Sequence, residues 1–244
     1  MPPRISLVVP AHNEASYLPA LLDSVDVARR GYARGAGAVE VIVADNASTD
    51  RTAELAAARG CRVARVENRA IAAARNGGAA VARGEVLAFT DADGRIHPRT
   101  FDVINAAISD PRAVGGATGM TMERWSAGIA TTFAVGLLLI WATGMDSGVV
   151  FCRRTDFEAI GGYDERRLVA EDVAFLAALK RLGRRDGRKL VRPRGAKTVA
   201  STRKFDQFGD WHFLTRMPPV ALRLLRDPAA RPEFLDRYWY RPQR

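Results

Sequence analysis

Apolar residues recur along this chain with two alternating periods. Residues 5–10 (ISLVVP) form a continuous apolar run closed by Pro10, the pattern of a buried strand. Leu18, Leu21, Leu22 and Val25 then repeat at i, i+3, i+4 and i+7, which predicts a helix over 15–29. Residues 39–44 (VEVIVA) predict a second strand ending on Asp45. The segment NASTDRTAELAAARG follows, with Ser48, Thr49 and Asp50 as candidate N-caps, an alanine-rich helix, and Gly60 as its stop. A third strand is predicted at 61–66, a helix interrupted at Gly77–Gly78 over 70–83, and a fourth strand at 86–90. Short apolar strands alternating with helices predict an α/β fold whose parallel sheet carries helices on both faces.

Beyond residue 98 the regularity weakens. A helix at 98–109, a further strand of the same sheet at 113–125 and a strand at 146–154 are predicted. A short helix leads to GGYDE, and another helix begins near Glu171-Asp172 and stops at Gly183. Residues 127–145 hold no charge over 19 positions, close to the ~20 residues that span a bilayer. Three threonines, three glycines and the following Asp146 favour a buried or partly exposed helix over the active site instead. Contact with a membrane surface stays open as the alternative.

Composition changes this picture little. Of 244 residues, 48% are hydrophobic and no segment is of low complexity, as expected of a folded globular protein. Cys61 and Cys152 lie far apart in apolar runs and read as buried free thiols, not as a disulfide or zinc site. The N-terminus has no long apolar h-region, so no signal peptide is expected and the cytoplasm is the default compartment. Charge matters more. The net +10 rests on 33 arginines against 4 lysines. It reads as a solvated basic surface, a phosphate-bearing substrate, or anionic lipid.

Candidate chemistry gathers at strand ends. In open parallel sheets, ligands bind beyond the carboxyl ends of the strands. The first strand ends at Pro10-Ala11-His12-Asn13-Glu14, the second at Asp45-Asn46, and the fourth at Asp91-Ala92-Asp93. The last pair has a bland reading as a solvated turn. At the ligand edge, however, two carboxylates suit a hard divalent cation, Mn²⁺ or Mg²⁺, that also takes oxygens from a diphosphate. Asp45 is either a helix cap or, with Ser48 or Thr49 capping, an acceptor free to read a nucleobase imino N–H. Glu171 and Asp172 are either helix-start acids favoured by the macrodipole or a general base for an acceptor hydroxyl. Arg75, and Arg203 with Lys204 in STRKFDQFG, are either surface charge or stabilisers of a departing diphosphate. The first turn, PAHNEASY, has no glycine, which excludes a dinucleotide-binding fingerprint, and no Walker A sequence occurs.

Four segments in register, LVVPAHNEASYLPALLDSV, VIVADNASTDRTAELA, AAARNGGAAVARGEVLAFTDADGRI and GGYDERRLVAEDVAFLAALKRLG, together resemble family 2 glycosyltransferases of GT-A fold, over roughly residues 5–185. The resemblance implies an inverting, metal-dependent transfer of a hexose from a UDP- or GDP-linked sugar to a hydroxyl or phosphate acceptor. It implies a donor site in which Pro10, Ala11 and Glu14 line the nucleoside pocket and Asp45 contacts the base. Arg75 would lie near the donor. Asp91-Ala92-Asp93 would be the DxD turn, with Asp93 the firmer metal ligand. Asp172 would be the catalytic base, with Glu171 beside it. The family often has D-D-G-S after the second strand, and here Asp45-Asn46-Ala47-Ser48 stands there. Without a Q-x-x-R-W block or C-terminal membrane helices, a processive synthase is disfavoured.

The expected organisation is a GT-A domain over 1–200, with a nucleotide-sugar half at 1–97 and an acceptor half at 98–200. A basic, aromatic extension follows at 201–244. A lipid-linked acceptor, peripheral membrane contact and a homodimer stay open, and nucleic acid is not expected as a partner. The rival readings are a nucleotidyltransferase, which lacks its glycine-rich basic loop here, and a nucleic-acid or anionic-membrane binding protein, which has no need of acids at three strand ends.

Overall fold

The computed structural model of the chain describes residues 2–167 and 170–220. The end of the predicted C-terminal extension, including DRYWYRPQR, lies outside the described residues. The backbone clusters into two units, Met1–Thr121 with Met145–Ala200, and Met122–Gly144 with the residues from Ser201 onward.

The first unit follows the apolar pattern closely. Strand β1 (Ile5–Ala11) leads through α1 (Leu18–Gly31) to β2 (Val39–Asp45) and α2 (Thr52–Ala58). Then come β3 (Arg62–Arg65), α3 (Ile71–Val81), β4 (Val86–Phe89), α4 (Thr100–Ser109), β5 (Ala113–Ala117) and β6 (Met120–Met122). Helix α5 (Ala127–Thr143) belongs to the second unit. The chain returns through β7 (Val150–Arg153), α6 (Arg154–Ala159), α7 (Glu171–Arg185), β8 (Lys189–Val191) and β9 (Thr198–Ala200). Helices α8 (Arg203–Phe208) and α9 (His212–Thr215) again lie in the second unit.

Among the described residues, seven strands form one sheet in the order β3-β2-β1-β4-β7-β5-β8, and β6 pairs with β9 separately. Within the large sheet β7 runs antiparallel to both neighbours, while the sheet's other pairs are parallel. The alternation of side chains across each strand splits the core into two. Leu7, Val9, Val41, Val43 and Ala88 face α1 and α4 through Leu21, Val25, Phe101 and Ile104. Val8, Ile42, Leu87 and Phe89 face α3 and α7 through Ala72, Ala79, Phe175 and Leu179.

Several local expectations change. Gly77 and Gly78 do not interrupt α3. Gly78 sits where the helix meets the sheet, and a Cβ there would lie 2.4 Å from Val8 Cγ1. The strand expected at 113–125 breaks at Gly119, whose φ of +79° turns the chain out of the large sheet. Gly183 lies inside α7, which runs on to Arg185. Helix α1 starts at Leu18, because residues 15–17 form a turn whose N–H groups at Tyr17 and Leu18 donate to the Glu14 carbonyl. Cys152 is buried as expected, but Cys61 is only partly so. Beyond its first turn, where Gly128 and Ile129 are buried, α5 stands largely exposed.

Candidate functional site

Strand register assembles the expected edge. Ala11 pairs with Asp45 across β1 and β2, and Pro10 with Ala44. Val8 pairs with Phe89 across β1 and β4, so the Asp91-Ala92-Asp93 turn leaves the sheet on the same side. Pro10 is half-buried, Ala11, Ala92 and Glu14 are buried, and Asp93 is half-buried.

The loops after β1 and β2 are tied together by the residues expected to cap α2. Ser48 Oγ accepts the Asn13 N–H (3.1 Å), and Asp50 accepts N–H groups from Ala15 (3.1 Å) and Thr52 (2.9 Å). The helix itself begins after Arg51 with no side-chain cap. Asn13 Oδ1 in turn accepts the Thr49 N–H (2.7 Å), and Thr52 Oγ1 accepts that of Glu14 (2.9 Å). Asp45 is therefore not left free. It is buried, and its Oδ1 accepts the Ser48 N–H at 3.3 Å.

Among the described residues, three non-glycines have left-handed backbone, Asn13, Ala47 and Ala170. They sit just after β1, just after β2 and just before α7. Such conformations cost on the order of 1–3 kcal/mol and cluster where a site over-determines the chain.

Arg75 is the centre of the charge arrangement. It projects from α3, its side chain 4% exposed. Nη2 donates to Asp91 Oδ1 at 3.0 Å, and Nη1 to Glu171 Oε1 at 2.8 Å. Nη1 also lies 2.6 Å from Asp172 Oδ1. That contact is an ion pair by distance without an aligned hydrogen bond, since Asp172 Oδ1 is buried and receives none. The Asp172 side chain is still 39% exposed, so the open part is the rest of the carboxylate and its stem. Burial pushes the Asp172 pKa up to about 6, against the pull of Arg75 and helped by Asp91 and Glu171. For Arg75, burial works against charge, but Asp172, Tyr163, Asp91 and Glu171 more than offset it and hold the guanidinium firmly protonated.

The strand-end turn carries two aspartates, Asp91 and Asp93. Asp91 is 68% exposed and already compensated by Arg75. Together the pair offers hard carboxylate oxygens, but among the described residues no cluster of three or more acids, histidines or cysteines forms a complete cage. A divalent cation here would take its remaining oxygens from a diphosphate and water, which is how Mg²⁺ is usually held. The donor set therefore fits Mn²⁺ or Mg²⁺ brought with a nucleotide.

Tyr163 was not singled out by the sequence. It is buried, it stacks on Phe175 with ring centroids 4.1 Å apart, and the Arg75 guanidinium lies 5.2 Å from its ring centre. Its loop is pinned to α3, because Asn76 accepts the Tyr163 N–H and donates to its carbonyl, each at 2.9 Å. Gly162 makes this possible with a φ of +73°, and a Cβ there would lie 2.7 Å from Asn76 Oδ1. The signal was the GGY in GGYDE, whose glycines mark the close approach. Arg203 belongs to the second unit, where its N–H donates to Ser201 Oγ at 3.2 Å.

Comparison with known proteins follows the same lines. The family described as "Glycosyl transferase family 2" matches residues 6–185. A search of curated proteins found no match. Among solved structures, S. aureus TarS 1–349 superposes with a TM-score of 0.63 at 20% identity, covering 88% of this chain and 64% of that one. The mannosyltransferase PcManGT from Pyrobaculum calidifontis, in complex with GDP-Man and Mn²⁺, gives 0.63 at 21%, covering 82% and 57%. Glucosyl-3-phosphoglycerate synthase from Mycobacterium tuberculosis, with Mn²⁺, UDP and glucosyl-3-phosphoglycerate, gives 0.59 at 22%, covering 84% and 74%. The chain thus spans less than two thirds of the TarS and PcManGT chains, and these likenesses establish the GT-A fold.

Proposed function

The chain belongs to glycosyl transferase family 2, and from that premise we propose that it transfers a hexose, with inversion, from a UDP- or GDP-linked sugar to an acceptor hydroxyl or phosphate. The observation that carries this reading is the Arg75 node. One guanidinium joins the Asp91 turn to the Glu171-Asp172 pair, so donor-side and acceptor-side groups are held in one place. The donor class is supported by relatives solved with UDP, UDP-GlcNAc and GDP-Man.

In this reading Pro10, Ala11 and Glu14 line the nucleoside pocket, and Asp45, whose Oδ1 accepts the Ser48 N–H, accepts from the base through its other oxygen. Asp93, with Asp91 behind it, would hold Mn²⁺ or Mg²⁺, which when bound neutralises charge on the departing diphosphate. Asp172 receives the proton of the acceptor hydroxyl. As the acceptor oxygen bonds to the anomeric carbon, the bond from that carbon to the β-phosphate oxygen breaks, and the nucleoside diphosphate leaves. A single displacement inverts the anomeric centre and needs one base. Asp172 suits the task because one oxygen is fixed beside Arg75 while the rest of the carboxylate is open. Glu171, hydrogen-bonded to Arg75, orients that arginine instead.

The test uses water as acceptor. Asp172→Asn should lower Mn²⁺-dependent donor hydrolysis by at least ~100-fold, the usual scale of a lost general base, while donor binding by calorimetry is kept. Lost binding would make the residue scaffold, and retained hydrolysis would remove it from the mechanism.

A further inference from the structure

Helix α5 poses a physical problem that the transferase reading does not touch. Its 17 residues carry no charged side chain. Leu138 is 67% exposed, Leu139 63% and Trp141 83%, with Val135 and Leu137 also in water. At 3.6 residues per turn, these five side chains spread over roughly 200° of the helix circumference. A helix that is apolar around most of its girth belongs in a core or in lipid.

The root of the helix is fixed, whereas the large apolar side chains further along it stand exposed. Arg124, just before it, donates to Asp206 (2.8 Å) and Asp210 (2.7 Å) of the same unit. Gly128 lies so close to the Asp210 carbonyl that a Cβ would sit 2.6 Å from it. Ser126 caps the first turn by accepting the Ile129 N–H. Past Ile129 no residue of α5 is buried. Most of the helix past its first turn is therefore exposed.

We propose that α5 inserts into the interfacial layer of an anionic bilayer and docks the second unit on it. Three features select this occupant over a protein surface. An exposed arc of roughly 200° is wider than one ridge-into-groove contact covers, whereas acyl chains close around it. Trp125 and Trp211, both exposed in this unit, are the amphipathic side chains that settle at headgroup depth. Residues 201–244 carry nine Arg and Lys against five Asp and Glu, a charge that anionic headgroups attract. Insertion is not spanning, since no helix among the described residues is long and apolar enough to cross a membrane. The length of α5, about 25 Å at 1.5 Å per residue, falls short of the ~30 Å hydrocarbon core.

The experiment is co-sedimentation of the full chain with vesicles of phosphatidylcholine and phosphatidylglycerol (70:30) and of phosphatidylcholine alone. The chain should pellet with the anionic vesicles, and its tryptophan emission should shift to the blue. Leu138→Glu with Trp141→Glu should weaken binding at least tenfold, with an unchanged thermal midpoint and unchanged nucleotide-sugar binding. Leu139→Gln, a milder change, should weaken it in the same direction. A wild-type chain that stays in the supernatant overturns the proposal. So does a double variant that pellets normally, which would reduce binding to charge alone. A lipid-free dimer by light scattering that these substitutions turn into a monomer would give the face to a second copy, and would equally overturn it.

Discussion

At Asp172, burial outweighs the attraction of Arg75, and the carboxyl stays protonated to about pH 6. A base must be ionised to act, so kcat/KM for donor hydrolysis should fall roughly tenfold per unit below that pH and level off above it. A profile flat from pH 4.5 to 8 would contradict the role. The same shift means that the native chain holds this proton more tightly than the unfolded chain. The contribution of Asp172 to stability therefore drops as pH rises from its ordinary value near 3.8 to about 6. Arg75 is the neighbouring test. Replacing it with alanine leaves Glu171 and Asp172 facing each other without a cation. The expected loss in urea unfolding is about 3 kcal/mol, the low end for a broken buried ion pair, because Asp91 remains mostly in water. A loss below about 0.5 kcal/mol, typical of a surface pair, would mean the node is not a buried one. The acids were legible in the sequence as types at strand and helix ends. Their joining through one arginine was not, because Arg75 and Glu171 are separated by 96 residues and only the fold brings them together.

At the scale of elements, periodicity reads the first half of the chain well. Strands β1, β2 and β4 are buried on both faces, so they appear as unbroken apolar runs, and the helices between them show their stripes. What misled was glycine. Gly77-Gly78 looks like a helix break in sequence, yet these residues are small because α3 lies against Val8 and Val66. Gly78→Ala should destabilise by about 1–3 kcal/mol, the cost of overpacking, despite alanine's better helix propensity. Urea unfolding decides it, and a stabilised variant would mean that helix and sheet are further apart than described. The site loops were hidden for a related reason. Asp50 and Ser48 have the chemistry of helix caps, but they spend it binding the β1 loop, a use that depends on which strands are neighbours.

For the whole molecule, the order of strands explains why a chain with unremarkable local acids has a site. The sheet places β1 between β2 and β4, so three loops from distant stretches open on one edge, and α7 brings the Glu171-Asp172 pair to Arg75. The parallel half was legible, whereas the antiparallel β7 and the edge strand β8 were not assigned their places, since pairing direction leaves no mark on a short apolar run. The second unit was also hard to read, because α5 has a core-like sequence without a core around it.

In the proposed reaction this edge would hold a nucleotide-diphosphate sugar together with a divalent cation on Asp93. Isothermal titration of UDP- and GDP-linked sugars into the chain, with and without Mn²⁺, decides whether it does. One nucleotide class should bind in the presence of Mn²⁺, and Asp93→Ala should weaken that binding about tenfold or more, in line with about 1.4 kcal/mol per decade. Binding that is identical with and without Mn²⁺ and in Asp93→Ala, or no binding by either class, would contradict the account.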